Sequence, residues 1–406
     1  MIPLEEARRR VLNGCRPMAP RELPIDEALG CVTAEAIVAG EAVPPFANTA
    51  MDGYAVHAAD TTGASAEHPV KLRLCGTLAA GAAPDRPVGP GEALRIMTGA
   101  PFPAGADAVV IVEVTQPADG GESVLVQQPA HPGDHIRPAG EDIAAGQEVF
   151  PAGTVLGPGH LGVLASIGRE KVAVVGRARV GVLSTGDELV EGAGALRPGQ
   201  IRDSNRHTLL ALLRQAGCDG VDLGVVGDSE EVIRGAMVRG IATCDALLTS
   251  GGVSMGEFDY VKKVLDELGE MTWMQVAIRP AKPLAFGTVD GRPVFGLPGN
   301  PVSSMVSFEL FARPGLRRLM GYPADTLDRP RVQAVADERL GRRPDGKLHL
   351  TRVVVTYEHD GRYHASSSGG QASNLLRAMA LANGLALVPD GDGIPAGAGV
   401  EVLLLS

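Results

Sequence analysis

Between residues 179 and 320 short apolar segments alternate with stretches of helical spacing, and this alternation restricts the fold more than any other feature. Strand-length runs at 179–184, 219–226, 246–249, 276–278 and 294–297 are interleaved with helical patterns at about 204–216, 229–239 and 260–268. A long helical pattern closes the series at 301–320, with Pro301 suited to the first helical position and Asn300 to the N-cap. Such alternation predicts βαβ units around a parallel sheet. Ligands of an open parallel sheet collect beyond the carboxyl ends of the strands, so the loops that follow each run hold the candidate site.

Those loops share a chemistry. They read Ser184-Thr185-Gly186-Asp187-Glu188, Gly227-Asp228, Ser250-Gly251-Gly252-Val253-Ser254-Met255-Gly256 followed by Glu257 and Asp259, Arg279-Pro280-Ala281-Lys282-Pro283, and Pro298-Gly299-Asn300-Pro301-Val302-Ser303-Ser304. Glycines let backbone N–H groups approach an anion, carboxylates hold a hard cation, and Arg279 and Lys282 are stiffened by flanking prolines. One sheet edge would then gather Mg²⁺-binding acids, oxyanion-binding cations and helix N-termini, a combination suited to a phosphate-bearing substrate. Each piece has a plainer reading. Asp228 with Glu231 fits a capping box, Asp259 fits an N-cap for the helix from Tyr260, and Ser303 suits a first helical turn in any protein.

Outside this region the pattern changes. Leu4, Ala7 and Val11 mark one face of a short helix, with Arg8, Arg9 and Arg10 expected on its solvated side. From about 45 to 140, short apolar pieces at 71–74, 93–97 and 108–112 are cut by Pro and Gly, which predicts a small β-rich module. It carries Met51-Asp52-Gly53-Tyr54 and Met97-Thr98-Gly99, where Asp52 also suits an ordinary Asp-Gly turn. After residue 322 the helical period disappears, and runs at 331–336, 348–357, 385–388 and 400–405 predict a C-terminal β domain.

The net charge of −11 excludes a phosphate-tracking surface for nucleic acid or anionic membrane, so an anionic substrate must meet local cations. No stretch of about 18 apolar residues suggests a membrane span. Five scattered cysteines without a C-x-x-C pair speak against a disulfide framework or zinc site. With no secretory pattern at the first residues, the expected location is the cytoplasm. No P-loop and no H-E-x-x-H motif occurs.

Six of the segments, taken together and in order, carry a resemblance. They are the stretch 48–55 around Met51-Asp52-Gly53-Tyr54, Met97-Thr98-Gly99-Ala100-Pro101, Gly105-Ala106-Asp107-Ala108-Val109-Val110, Ser184-Thr185-Gly186-Asp187-Glu188-Leu189, the 250–256 glycine loop, and Gly296-Leu297-Pro298-Gly299-Asn300-Pro301. They resemble the molybdopterin molybdenumtransferases of the MoeA type, a family that includes the E domain of gephyrin. Gly370-Gln371-Ala372-Ser373-Asn374 and Ala382-Asn383-Gly384-Leu385 extend the likeness into the C-terminal domain.

The resemblance implies four domains: residues 1–44 with 140–176 as an elongated discontinuous domain, 45–139 as the inserted β-rich domain, 177–326 as the α/β molybdopterin-binding domain, and 327–406 as a C-terminal β-barrel-like domain. It implies insertion of molybdate into adenylylated molybdopterin with release of AMP, in a Mg²⁺-dependent homodimer whose site is shared between subunits. Glu188 and Asp259 would take the Mg²⁺ and phosphate side, with Asp228 and Asp142 near them. Arg279, Lys282 and Ser303 would surround molybdate, while Asp52 and Thr98 would approach from the other subunit. Thr185, Gly186, Ser250, Gly251, Gly252, Ser254 and Pro298 belong to the substrate loops. The adenylylating enzyme and molybdoenzyme-maturation proteins are the implied partners. Two positions depart from the family pattern: Gln275 stands where lysine is frequent, and Arg279 replaces a lysine, exchanging a compact charge for a planar fork. The related adenylylating enzyme and a non-catalytic dimeric scaffold or cofactor carrier are the alternative readings.

Overall fold

The computed structural model describes residues 1–252, 260–342 and 344–405. At its centre a six-stranded sheet has the spatial order Asp219–Val226, Arg179–Thr185, Ala246–Ser250, Arg292–Leu297, Pro283–Val289, Glu270–Gln275. The first four strands are parallel, as the alternation predicts. The last two join by antiparallel pairing: Pro283–Val289 runs against the first four, and Glu270–Gln275 runs with them. The run at 276–278 is not a strand of this sheet. Its end, Ile278–Arg279, pairs instead with Leu348 and His349 of the C-terminal domain.

Strand residues divide between two cores because successive side chains point to opposite faces. Val180 and Val182 pack with the helices Leu4–Gly14, Asn205–Ala216 and Pro301–Ser307, while Leu183 packs with Glu230–Thr243 and Tyr260–Leu268. The register decides where the antiparallel strands contribute. Ala285 lies opposite Gly296 and Gln275 opposite Pro283, so Gln275 and Pro283 sit at the same end of the sheet as Leu297. The connection 276–282 therefore joins the carboxyl-end loops, even though the strand that follows it runs the other way.

The helix that follows Leu297 is interrupted. Pro301–Ser307 is α-helical, Phe308–Ala312 forms a π-turn, and Arg313–Leu319 resumes the α-helix. Asn300 holds the N-cap position but makes no side-chain capping bond. Pro314 has no N–H to donate to the carbonyl four residues earlier, that of Leu310. Arg8 donates to it instead, Nη1 to O at 2.7 Å, and binds both oxygens of Asp328 at 2.7 Å. Arg8 is thus buried, contrary to the solvated face expected for it, because a helix backbone short of one donor faces it.

Residues 45–139 contain a separate six-stranded sheet, ordered Ala108–Ile111, Gly53–Val56, Glu92–Ile96, Val70–Leu78, Ser123–Val126, Thr115–Ala118. On either side of it in sequence, Arg21–Pro24 pairs antiparallel with Lys171–Val175. In the C-terminal region Leu348–Tyr357, Tyr363–Ser367, Arg331–Ala336, Gly399–Leu404 and Gly384–Val388 pair in a closed ring, a five-stranded barrel. Tyr363–Ser367 escaped the sequence pattern because His364, Ser366 and Ser367 break the apolar run.

Candidate active site

The acidic part of the sheet edge is built by two loops that hold each other. The Asp228 N–H donates to Asp187 Oδ1 at 2.9 Å and the Asp187 N–H to Asp228 Oδ2 at 3.4 Å. Asp228 is not part of a capping box: the N-cap of the next helix is Ser229. Thr185 is buried at the strand end, and the Gly186 N–H donates to the Val226 carbonyl at 3.2 Å. Gly186 has φ of 149°, a conformation that favours glycine, and a Cβ there would make the Glu188 carboxylate move. Glu188 and Asp228 are both exposed.

Behind these loops lies a buried charge network that motif reading did not reveal. Ser184 Oγ donates to Asp203 Oδ1 at 3.2 Å, and Asp203 Oδ2 accepts from Arg206 Nε at 3.0 Å. Arg206 also pairs with Asp222 and Glu191. Next to it, Asn205 Nδ2 donates to Ser250 Oγ at 2.8 Å and to the Gly299 carbonyl at 2.7 Å, joining the second glycine-rich loop to the one that carries buried Pro298. Gly251 and Gly252 have φ of 97° and 68°, and a Cβ at Gly252 would meet Val261 at 2.3 Å. Ser254, Glu257 and Asp259 lie outside the described residues.

The cationic part is a cavity of about 360 Å³ between the sheet edge and the barrel. It brings together Arg279, Lys282 and Ser303 with Lys347, Gln371 and Ser373. The Val302 N–H donates to the Ser373 carbonyl at 3.2 Å, which fixes the start of the helix against the barrel loop. Asp345 faces both flanking cations, 3.1 Å from Lys347 Nζ and 3.7 Å from Arg279 Nη1. Partial burial pushes the Asp345 carboxyl up, but its bonds to Lys347 and His349 prevail and hold it at about 2. Gln275 borders a neighbouring cavity with Lys262, Trp273 and Lys282. Nothing in the sequence around Lys347 marks it as a site residue, whereas Gln371 and Ser373 belong to the stretch 370–374 that extends the family likeness.

Asp52 and Thr98 meet in the inserted sheet, since Gly53 lies opposite Ile96 and the chain places Asp52 just before and Thr98 just after that pair. Thr98 donates its N–H to Asp52 Oδ1 at 2.7 Å and its hydroxyl at 2.8 Å. These bonds hold the Asp52 carboxyl below the usual carboxylate range. Asp142 is exposed, with its N–H on the Val43 carbonyl at 3.0 Å. Among the described residues, the hydrogen bonds of Asp52, Thr98 and Asp142 do not reach the central sheet. Among the same described residues, no group of three or more His, Cys, Asp or Glu stands ready to hold a metal ion.

Comparison with known proteins gives these loops a family. The MoeA N-terminal region (domain I and II) matches residues 2–168, the probable molybdopterin binding domain 181–318, and the MoeA C-terminal region (domain IV) 334–405. Molybdopterin molybdenumtransferase 2 of Mycobacterium tuberculosis is 40% identical, over 99% of this chain and 98% of that protein. The chain belongs to the molybdopterin molybdenumtransferase family. Another member, from Haemophilus influenzae, is 37% identical over 94% of this chain and 93% of its own length. The family fold is also that of the molybdopterin biosynthesis MoeA protein from Pyrococcus horikoshii, whose crystal structure has a TM-score of 0.82, 32% identity, and coverage of 100% and 99% of the two chains.

Proposed function

We propose that this protein inserts molybdate into adenylylated molybdopterin and releases AMP. The observation that carries the reading is the cavity that gathers Arg279, Lys282, Ser303 and Lys347 at the carboxyl edge of a molybdopterin-binding domain. Molybdate is a dianion, and a chain with net charge −11 can hold one only where fixed cations outweigh the surrounding field. Arg279, Lys282 and Lys347 supply that charge, and Ser303 offers a hydroxyl near the N-terminus of a helix.

At the other end, Glu188 and Asp228 would face the phosphates, with Asp259 from the neighbouring loop. Their oxygen donors fit Mg²⁺, a hard cation that keeps several waters and is bound through one or two carboxylates together with substrate phosphates. Glu188 and Asp259 would hold it, and when bound it would supply neutralisation of the phosphoanhydride charge. The glycine loop from Ser250 would keep backbone N–H groups near the phosphates, with Thr185 and Gly186 at the adjoining turn.

The reading extends to a homodimer. Asp52 and Thr98 form a preset pair flanked by Met51 and Met97, each 39% exposed, an apolar rim suited to meeting the sheet edge of a second copy. Asp142 would join the acidic side. We divide the chain accordingly into domains at 1–44 with 140–176, 45–139, 177–326 and 327–406, and place the reaction in the cytoplasm, with the adenylylating enzyme as the supplier of substrate.

The test is AMP release from adenylylated molybdopterin in the presence of Mg²⁺ and molybdate. Glu188→Ala should lose about a hundredfold in rate. Mixing inactive Glu188→Ala with inactive Asp52→Ala protein should restore part of the activity, since some heterodimers would carry one intact site. Absence of AMP under every metal condition would reject the reaction, and failure of the mixture would reject the shared site.

A further inference from the structure

A second cavity of about 430 Å³ lies beside the cation-lined one and shares Arg279, Pro280, Gln371 and Ala372 with it. Arg342, Asp345, His349 and Thr351 line the second cavity alone. Strand pairing puts His349 there: the parallel bridge that joins Ile278–Arg279 to the barrel sets Arg279 directly beside His349. A single carboxylate then links the two cavities. Asp345 has both oxygens 3.2 Å from His349 Nε2, and the same group meets Lys347 at 3.1 Å and Arg279 at 3.7 Å.

The charged groups around the half-buried imidazole come from every neighbouring element. Among the described residues, the loop before its strand supplies Arg342, Asp345 and Lys347, and the bridge supplies Arg279. On the other side His349 faces Val388, and beyond it Asp390 binds Arg342 at 2.6 Å and the N–H groups of Asp345 and Gly346 at 3.1 and 3.2 Å. Burial lowers the pKa of the ring and Arg342 adds to that, while the bond to Asp345 opposes them. An ionised carboxylate only accepts, so the neutral ring carries its hydrogen on Nε2 and takes up a proton at Nδ1. His349 therefore changes charge on the acid side of neutrality.

The two charge states act differently on the neighbouring cavity. With the ring neutral, Asp345 sets its negative charge against Lys347 and Arg279 and opposes an anion held between them. With the ring charged, Asp345 is matched by its own histidine, and a positive charge is added next to Arg279. Charges in a partly enclosed site are screened less than in open water, so the change is felt across the shared wall. We propose that the Asp345–His349 pair is a proton-operated counter-charge for the cation-lined cavity, weakening its hold on an oxyanion when the ring is neutral and strengthening it when the ring is charged. This inference rests on the oxyanion reading of that cavity. It makes the site answer to pH through a residue that does not line it.

The test is calorimetric titration of the full-length protein with sodium molybdate from about pH 8 down to about pH 5.5, with thermal melting as the check on folding. Each titration is run in two buffers that differ in ionisation enthalpy, so that protons taken up on binding are counted. In the parent, affinity should rise about fivefold as pH falls across that range, and binding should take up part of a proton. His349→Gln should stay within about twofold throughout and take up no proton, whereas a merely structural role would shift affinity equally at every pH. Should His349→Gln fail to fold, Asp345→Asn replaces it, since the ring without its carboxylate holds a proton less readily and the profile should flatten as well. A folded variant that keeps the parent's rise would overturn the inference, as would a parent whose affinity is flat or whose binding takes up no proton. If the parent binds no molybdate at any pH, the oxyanion reading fails and this inference with it; if it binds with a flat profile or one that the variants share, only this inference fails.

Discussion

Behind the carboxylate loops sits Arg206, and behind the cation-lined cavity sits Arg352; both are buried, and their partners differ in kind. Arg206 is shared by Asp203, Asp222 and Glu191, so it adds no net positive charge to the edge where Glu188 and Asp228 stand. Among the described residues, the Arg352 side chain meets only carbonyls. One sheet edge can therefore present an acidic end and a basic end a few loops apart. The difference is set in the layer beneath the surface as much as by the residues that face substrate.

The largest effect expected from this contrast is on stability. Arg206→Met would leave Asp203, which is 6% exposed, without its cation and should cost about 3–5 kcal/mol in urea unfolding. Arg352→Met abandons no carboxylate and should change stability far less. Equal losses in the two variants would break the comparison. A smaller effect should follow from Asp345→Asn. With its carboxyl held at about 2, Asp345 is ionised throughout the working range and partly neutralises Lys347 and Arg279. Removing that charge should tighten molybdate binding roughly threefold at low salt and hardly at all at high salt. Weaker binding in calorimetry would show that Asp345 chiefly orients the two cations.

The smallest effect is a control on the outer side of the barrel. His364 lies between Asp337, 2.6 Å from Nδ1, and Asp360, 3.2 Å from Nε2, and these bonds raise its pKa. A raised folded value means that the stabilisation is complete below the unfolded value of about 6.5 and is lost as pH rises through the folded value. Melting temperature should therefore drift down across that window in the parent and stay flatter in His364→Gln. Molybdate affinity should differ little between the two proteins at every pH tested. A matching shift in Kd would mean that charges on the outer side of the barrel reach the cavity.

Much of the architecture was legible in the sequence because apolar periodicity records which face of an element is covered. The strands at 219–226, 331–336 and 348–357 coincide with the structural ones for that reason. The antiparallel strand Pro283–Val289 was missed, and 276–278 was placed in the wrong sheet, because pairing partners leave no local signature once a strand is buried on both faces. Loops at the carboxyl edge could be named from glycines, prolines and charges, as with Arg279 and Lys282. The buried arginines could not. Arg8, Arg206 and Arg352 look like surface residues in a sequence, and only a distant carbonyl or carboxylate explains each of them. Lys347 and Ser373 were hidden in a similar way, since they reach the cavity from separate barrel connections.

The bond from Arg8 to the Leu310 carbonyl has a consequence for how the protein can be divided and rebuilt. Pro314 has no N–H to offer that carbonyl from its place in the helix, and a donor comes from the opposite end of the chain. A fragment limited to residues 177–326 would carry the defect without the repair. The first helix and the last helix of the α/β region are thus a matched set, to be transplanted together in any chimera.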